Sequence, residues 1–230
     1  MKRLLFLLGG MLFCFSLFSQ AEFKWGLEVY PNYSHRRLIA QTTISNSEIR
    51  ELEAMEVGRF SYTGGLFAQW RGQRAGFQAG LRFMDTGYRT VRTNLSPDDF
   101  PPPGAEQKRD IYQNFNLEIP AELQFYHELN EKNDFFFMIG LSLAYNLANY
   151  HKTAFYTGET PEVRREKADN DNFARIHYSF QSGMGWEHHF NEGFAIVVQP
   201  TFQFWMSSLL KETDINRNLY SVGLRLGVKL

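Results

Sequence analysis

A chain of 230 residues with 43% hydrophobic and 21% charged residues has the apolar content for one folded domain and excludes an intrinsically disordered one. A single cysteine, Cys14, excludes a disulfide framework and a cysteine-built metal centre, and a formal charge of −1 argues against a nucleic-acid partner.

Lys2 and Arg3 precede a nearly unbroken apolar run from Leu4 to Phe18, and Ser19-Gln20-Ala21 follows with small residues. That order of basic, apolar and small residues predicts a cleaved secretory signal over 1–21 and a mature domain over 22–230. The run is too short for a transmembrane helix, which needs roughly 20 apolar residues. Phe13 stands where a lipobox needs a small residue before the cysteine, so Cys14 is not expected to be lipidated. Residues 1–21 hold two of the 24 basic residues and none of the 25 acidic ones, so the remainder carries a formal charge of −3.

Beyond the signal the dominant pattern is alternation, the mark of strands with one apolar face. In the first segment Phe23, Trp25, Leu27 and Val29 oppose Lys24, Gly26, Glu28 and Tyr30; in the second Phe60, Tyr62, Leu66, Ala68 and Trp70 oppose Ser61, Thr63, Gly65 and Gln69. A turn at Gly72-Gln73-Arg74 leads to the third, where Phe77, Ala79, Leu81 and Phe83 oppose Gln78, Gly80 and Arg82. The fourth sets Phe115, Leu117, Ile119, Ala121, Leu123 and Phe125 against Asn116, Glu118, Pro120, Glu122, Gln124 and Tyr126. The fifth carries Phe135, Phe137, Ile139, Leu141, Leu143 and Tyr145 on one face, and the sixth Ile176, Tyr178, Phe180, Met184 and Trp186 opposite Arg175, His177, Ser179, Gln181, Gly183 and Gly185. The seventh pairs Phe194 to Met206 against Gln199, Thr201 and Gln203, and the eighth Tyr220 to Val228 against Ser221, Gly223, Arg225, Gly227 and Lys229.

Short turns alternate with long polar connections at 34–58, 90–110, 151–172 and 211–216, as in outer-membrane barrels. The pattern predicts an all-β protein: an eight-stranded antiparallel up-and-down transmembrane β-barrel in the outer membrane of a Gram-negative bacterium, with both termini periplasmic. A soluble sandwich or lipocalin-like barrel would also alternate, but here the second face carries Gly, Ser, Gln, Glu and Arg and fits a polar lumen, while Phe and Leu crowd the face for lipid. Trp70, Tyr126, Trp186 and Phe190 near the short turns, and Tyr30, Tyr33, Tyr88 and Tyr150 near the long loops, are expected to form interfacial girdles.

Three stretches carry a family likeness: Gly26-Leu27-Glu28-Val29 with Pro31-Asn32-Tyr33-Ser34, the distinctive Leu117-Glu118-Ile119-Pro120, and Val222-Gly223-Leu224-Arg225-Leu226-Gly227-Val228. With them the mature chain resembles the PorT-like outer-membrane β-barrel proteins, which share the architecture of the small eight-stranded OmpA/OmpX barrels. The resemblance implies location and fold, and insertion by the barrel-assembly machinery. Leu230 departs from the terminal aromatic usual in such barrels. The secretion role attached to the PorT name is not carried over.

By parity Glu28, Arg82, Glu118, Glu122, Arg175 and Arg225 face the lumen, and an eight-stranded barrel is just wide enough inside for side chains, so they are predicted to form an ion-pair network. Neighbouring arginines would hold Glu118 and Glu122 ionised, which argues against acid/base catalysis. Glu187-His188-His189 lacks a partner at metal-binding spacing and reads as a solvated periplasmic turn. His35, His151, His177 and Asp214 near the loops form no set that singles out a hydrolase. No catalytic residue, cofactor or metal site is expected. The expected partners are outer-membrane lipid and lipopolysaccharide, through Arg36-Arg37 and Arg164-Arg165-Glu166-Lys167, the barrel-assembly machinery, and an extracellular or periplasmic protein. The expected role is structural or interactive, through the loops; the alternatives are a small channel or transporter, a secretion-system component, or an outer-membrane lipid hydrolase.

Overall fold

The computed structural model describes residues 21–41, 44–191, 193–211 and 214–230, so the predicted signal at 1–20 lies outside the described residues. Eleven strands run through them where the sequence reading counted eight: β1 (Glu22–Ala40), β2 (Glu56–Val57), β3 (Arg59–Arg71), β4 (Ala75–Thr90), β5 (Thr93–Asn94), β6 (Gln107–Asn130), β7 (Asn133–Thr157), β8 (Thr160–Lys167), β9 (Ile176–Asn191), β10 (Phe194–Trp205) and β11 (Ile215–Lys229). Eight long antiparallel strands close a ring in the order β1, β3, β4, β6, β7, β9, β10, β11, and β11 returns to β1 through pairs such as Leu27 with Val228 and Tyr33 with Val222. The short β2, β5 and β8 lie outside that ring, paired to β4, β6 and β7 at the long-loop end.

The distribution of side chains is the reverse of a water-soluble protein. Trp25, Leu27, Tyr62, Leu66, Ile119, Leu141, Leu143, Ile176 and Val222 are about half exposed or more, while Glu28, Gln69, Arg82, Glu118, Glu122, Gln181 and Lys229 are buried. Period two sends each apolar residue outward and each polar one into the lumen. On β7 the exposed apolar residues run from Phe137 to Leu147, with half-buried Phe135 below them on the same face. From Phe135 to Leu147 that is roughly 40 Å along the strand and about 28 Å along the normal at a 45° tilt, the height of an outer-membrane apolar band.

The lumen fills because small residues admit large ones. A β-carbon on Gly185 would stand 2.1 Å from the Phe136 ring, so only glycine lets this buried phenylalanine cross the interior. Phe136, Met138, Tyr126 and Val197 pack together there, between the level of Glu122 and that of Asp134.

The stretches read as long loops carry more structure than their composition suggests. β6 and β7 continue past the apolar band as a two-stranded arm reaching Gln107 and Thr157, across a bulge between Phe115 and Asn116, and β8 lays a third strand on it. The first loop contains helix α1 (Asn46–Met55), whose N-cap Ser45 accepts a 3.2 Å hydrogen bond from the Ser47 amide.

The girdle expectation holds for outward Tyr33, Trp186 and Phe190, which are exposed, and fails for Tyr30, Tyr88 and Tyr126, which are buried in the lumen. Their even positions on β1, β4 and β6 put them on the inner face, and parity outweighs nearness to a strand end.

Candidate functional site

Five of the six predicted lumen residues meet at mid-height. Arg82 from β4 donates to Glu28 on β1 through its Nε and to Glu122 on β6 through Nη2 at 2.6 Å, with Glu118 3.7 Å from Nη1. Arg225 from β11 donates twice to Glu122 through Nη1, at 2.8 and 2.9 Å. Gln181 on β9 accepts from both guanidiniums, at 3.1 and 2.9 Å, and donates to Glu118 at 2.9 Å. Gln203 and Ser142 complete the shell of Glu118 at 2.6 and 2.5 Å. Three carboxylates thus face two guanidiniums, and buried amides and hydroxyls take up the remaining valence.

Arg175 is not among them. It precedes the start of β9, is 60% exposed, and lies 3.6 Å from Asp171 instead. Parity fixes a direction only inside a strand, and this residue stands just outside one.

A second charged layer, which reasoning from parity did not assemble, closes the periplasmic end. Lys229 donates to Glu187 at 2.6 Å, Arg71 to Asp134 at 2.6 Å, and His189 lies 2.8 Å from Asp134. Glu187 is therefore a fully buried lumen residue and not part of a solvated turn, while its neighbour His188 points outward and stacks on Trp186. Lys229 lay on the polar face of the alternation; what hid its role is that its partner Glu187 comes from a strand that is not its neighbour. Below this layer opens a vestibule of about 940 Å³ bordered by Lys24, Arg71, Glu128, Lys132 and His189.

At the extracellular end the seal changes from ionic to apolar. Met84, Tyr88, Trp205, Leu209 and Leu219 form a buried plug with Tyr112 and Phe173 against it. Tyr112 stacks between Tyr88 at 4.7 Å and His151 at 4.9 Å. Above one side of the plug, Glu56 accepts from buried Arg36 at 2.5 Å and from Arg217 at 2.9 Å, clamping the first loop onto β1 and β11. This removes Arg36 from the basic surface expected of Arg36-Arg37; Arg37 stays exposed.

In the arm, Asp110 lies 2.8 Å from His151 Nε2 and accepts from Thr153 at 3.1 Å. Partial burial pushes the Asp110 carboxyl up, but the hydrogen bond and charge of His151, with Thr153 and Lys108, bring it net below its ordinary range. A carboxylate lowered on folding contributes stability above its unfolded value of about 4 and loses it as pH falls through the lower folded value. Amide-exchange protection around 108–112 and 150–154, corrected for intrinsic rates, should therefore drop between about pH 5 and 3, and Asp110→Asn should abolish that dependence. Unchanged protection across this range in the wild type would refute it.

Among the described residues no three His, Cys, Asp or Glu side chains are grouped to hold a metal ion. A closed ring with an apolar exterior and a charged interior is matched by the sequence comparison, which aligns residues 18–211 with the outer membrane protein beta-barrel domain. The chain belongs to that family. It is an integral outer-membrane protein, and its apolar exterior band is the lipid-facing surface. No curated protein sequence matches it. Among solved structures, Neisserial surface protein A aligns at a TM-score of 0.42 and 8% identity over 89% of this chain and 96% of that one. The attachment invasion locus protein Ail of Yersinia pestis, in complex with the heparin analogue sucrose octasulfate, aligns at 0.35 and 12% over 91% and 99%. OprG of Pseudomonas aeruginosa aligns at 0.34 and 12% over 89% and 93%.

Proposed function

We propose that this outer-membrane barrel is a closed, non-enzymatic scaffold that acts through its extracellular parts, α1, the plug and the β6–β7–β8 arm. The observation that carries this reading is the doubly sealed lumen: the spaces left beside Arg82 in the central network, and beside Gln78 between the two ionic layers, are too small for a column of water. A solute has no route through it, which argues against the channel and transporter readings. Within the family, Leu117-Glu118-Ile119-Pro120 favours a PorT-like member, and Glu118 in that stretch anchors the lumen network. We further assign export to a signal over 1–21, insertion to the barrel-assembly machinery, and partnership to lipopolysaccharide and a protein met at the cell surface or in the periplasm.

The refolded protein should give no single-channel steps in planar bilayers at ±100 mV, while migrating faster on gels unboiled than boiled. Stable conducting steps from the heat-modifiable form would overturn the closed reading.

A further inference from the structure

The outward face of the arm carries a cluster of cations that form no ion pair among the described residues. Lys152 on β7 stands directly opposite Arg165 on β8, and the next outward pair is Tyr150 with Lys167. Arg109 on β6 joins the same face, since it pairs with Ala154, two residues beyond Lys152. Like charges directly opposite on a sheet repel. Nevertheless, among the described residues no carboxylate lies within ion-pair distance of Arg109, Lys152, Arg165 or Lys167, although Arg59 and Arg92 nearby pair with Asp85 and Glu159. Burial and the charges of Arg165 and Arg59 push the Lys152 amine below its usual value, against the smaller opposing pull of Asp85. The Arg109 Nε is buried without a hydrogen-bond partner.

The cluster is positioned as well as unneutralised. The Arg165 guanidinium sits 3.6 Å over the Tyr150 ring, and Tyr150 packs edge-on against Phe115 at 5.8 Å, at the top of the lipid-facing band. Lys152 lies two positions beyond Tyr150, which is about 7 Å along the strand and about 5 Å along the normal. The headgroup layer beyond the hydrocarbon is itself about 5–8 Å deep on each side. The cations therefore stand at headgroup height, facing the membrane around the barrel.

We propose that Arg109, Lys152, Arg165 and Lys167 form a binding site for the phosphate groups of an outer-leaflet glycolipid, lipopolysaccharide. Two guanidinium forks and two ammoniums, in register with Tyr150, Lys152 and Ala154 of one strand, suit phosphate oxygens, and a phosphate between Lys152 and Arg165 relieves their mutual repulsion. This deepens the reading of the barrel as a scaffold acting through its extracellular parts and rests on it. Of the residues expected to meet lipopolysaccharide, Arg165 and Lys167 belong to the site, and Arg164 does not: its Nη1 donates to the Phe100 carbonyl on the opposite face of the arm.

The test uses the full mature chain folded in detergent, titrated with lipid A, with enzymatically dephosphorylated lipid A, with inorganic phosphate and with polyglutamate, and read by native mass spectrometry. Retention of lipid A at least tenfold above its dephosphorylated form is expected, falling at least tenfold in Lys152→Gln/Arg165→Gln/Lys167→Gln. If that triple variant loses its heat-modifiable gel shift, Lys152→Gln alone should still lower retention, whereas Lys132→Gln at the periplasmic turn should not. Equal retention of the dephosphorylated lipid, competition by equimolar inorganic phosphate, preference for polyglutamate, or indifference to the Lys152 substitution would each overturn the site. Pore formation would instead overturn the closed-scaffold reading, and the conductance assay reports that separately.

Discussion

Glu122→Ala is expected to lower the stability of the folded barrel by about 3–5 kcal/mol, because it strips the shared carboxylate from two buried guanidiniums at once. Arg82 and Arg225 both donate to Glu122, and neither they nor Glu122 reach solvent. Their remaining partners are Glu28, Glu118 and Gln181, so the variant leaves two cations facing two carboxylates, one of them 3.7 Å away and the other already engaged with Arg82. Equilibrium urea unfolding in phospholipid vesicles measures the loss. The double variant Glu122→Leu/Arg225→Met should recover part of it, since removing a pair costs less than orphaning one partner. A loss below about 1 kcal/mol for Glu122→Ala would mean that water reaches the lumen and screens the charges.

The second large effect is expected on the opposite face of the same sheet. Leu141 lies midway along the exposed apolar residues of β7 and is 58% exposed. Leu141→Arg should cost about 2–4 kcal/mol, the penalty for a cation at the bilayer midplane, whereas Leu129→Arg beside the periplasmic turn should cost about 0–1. The same unfolding assay reads both. In a soluble barrel an exposed leucine would accept arginine at almost no cost, so equal and small losses at the two positions would contradict the membrane-facing assignment.

The alternation of residues made most of this architecture readable, because period two depends on backbone geometry and needs no tertiary information. It placed Glu28, Arg82, Glu118, Glu122 and Arg225 on one face before any pairing was known. It misplaced Arg175 because the strand begins at Ile176, and strand ends are what a sequence specifies least. The upper arm stayed hidden for a different reason: Gln107 to Asp110 is polar on both faces, and Ile111 and Tyr112 put one large apolar residue on each, so no alternation marks it. Two further features needed the closed ring itself. The clamp of Glu56 by Arg36 and Arg217 joins positions up to 161 residues apart, and Lys229 finds Glu187 across 42. The cationic face depends on β8 folding back on β7, a register that the run Arg164-Arg165-Glu166-Lys167 does not announce.

The network also bears on the order in which the barrel forms. Arg225, on the last strand, reaches Glu122 across 103 residues of chain. Until β11 arrives, an open sheet exposes surplus negative charge to the hydrocarbon, and partial structures are penalised along with incomplete hydrogen-bonded edges. Closure then lowers that surplus, by bringing in Arg225, and removes both edges in one event. The loop entropy of that long-range contact is spent just when the electrostatic reward appears. Folding of this protein should consequently be switch-like, with few half-zipped species, and truncation before β11 should leave a chain that inserts poorly, however intact its other seven ring strands are.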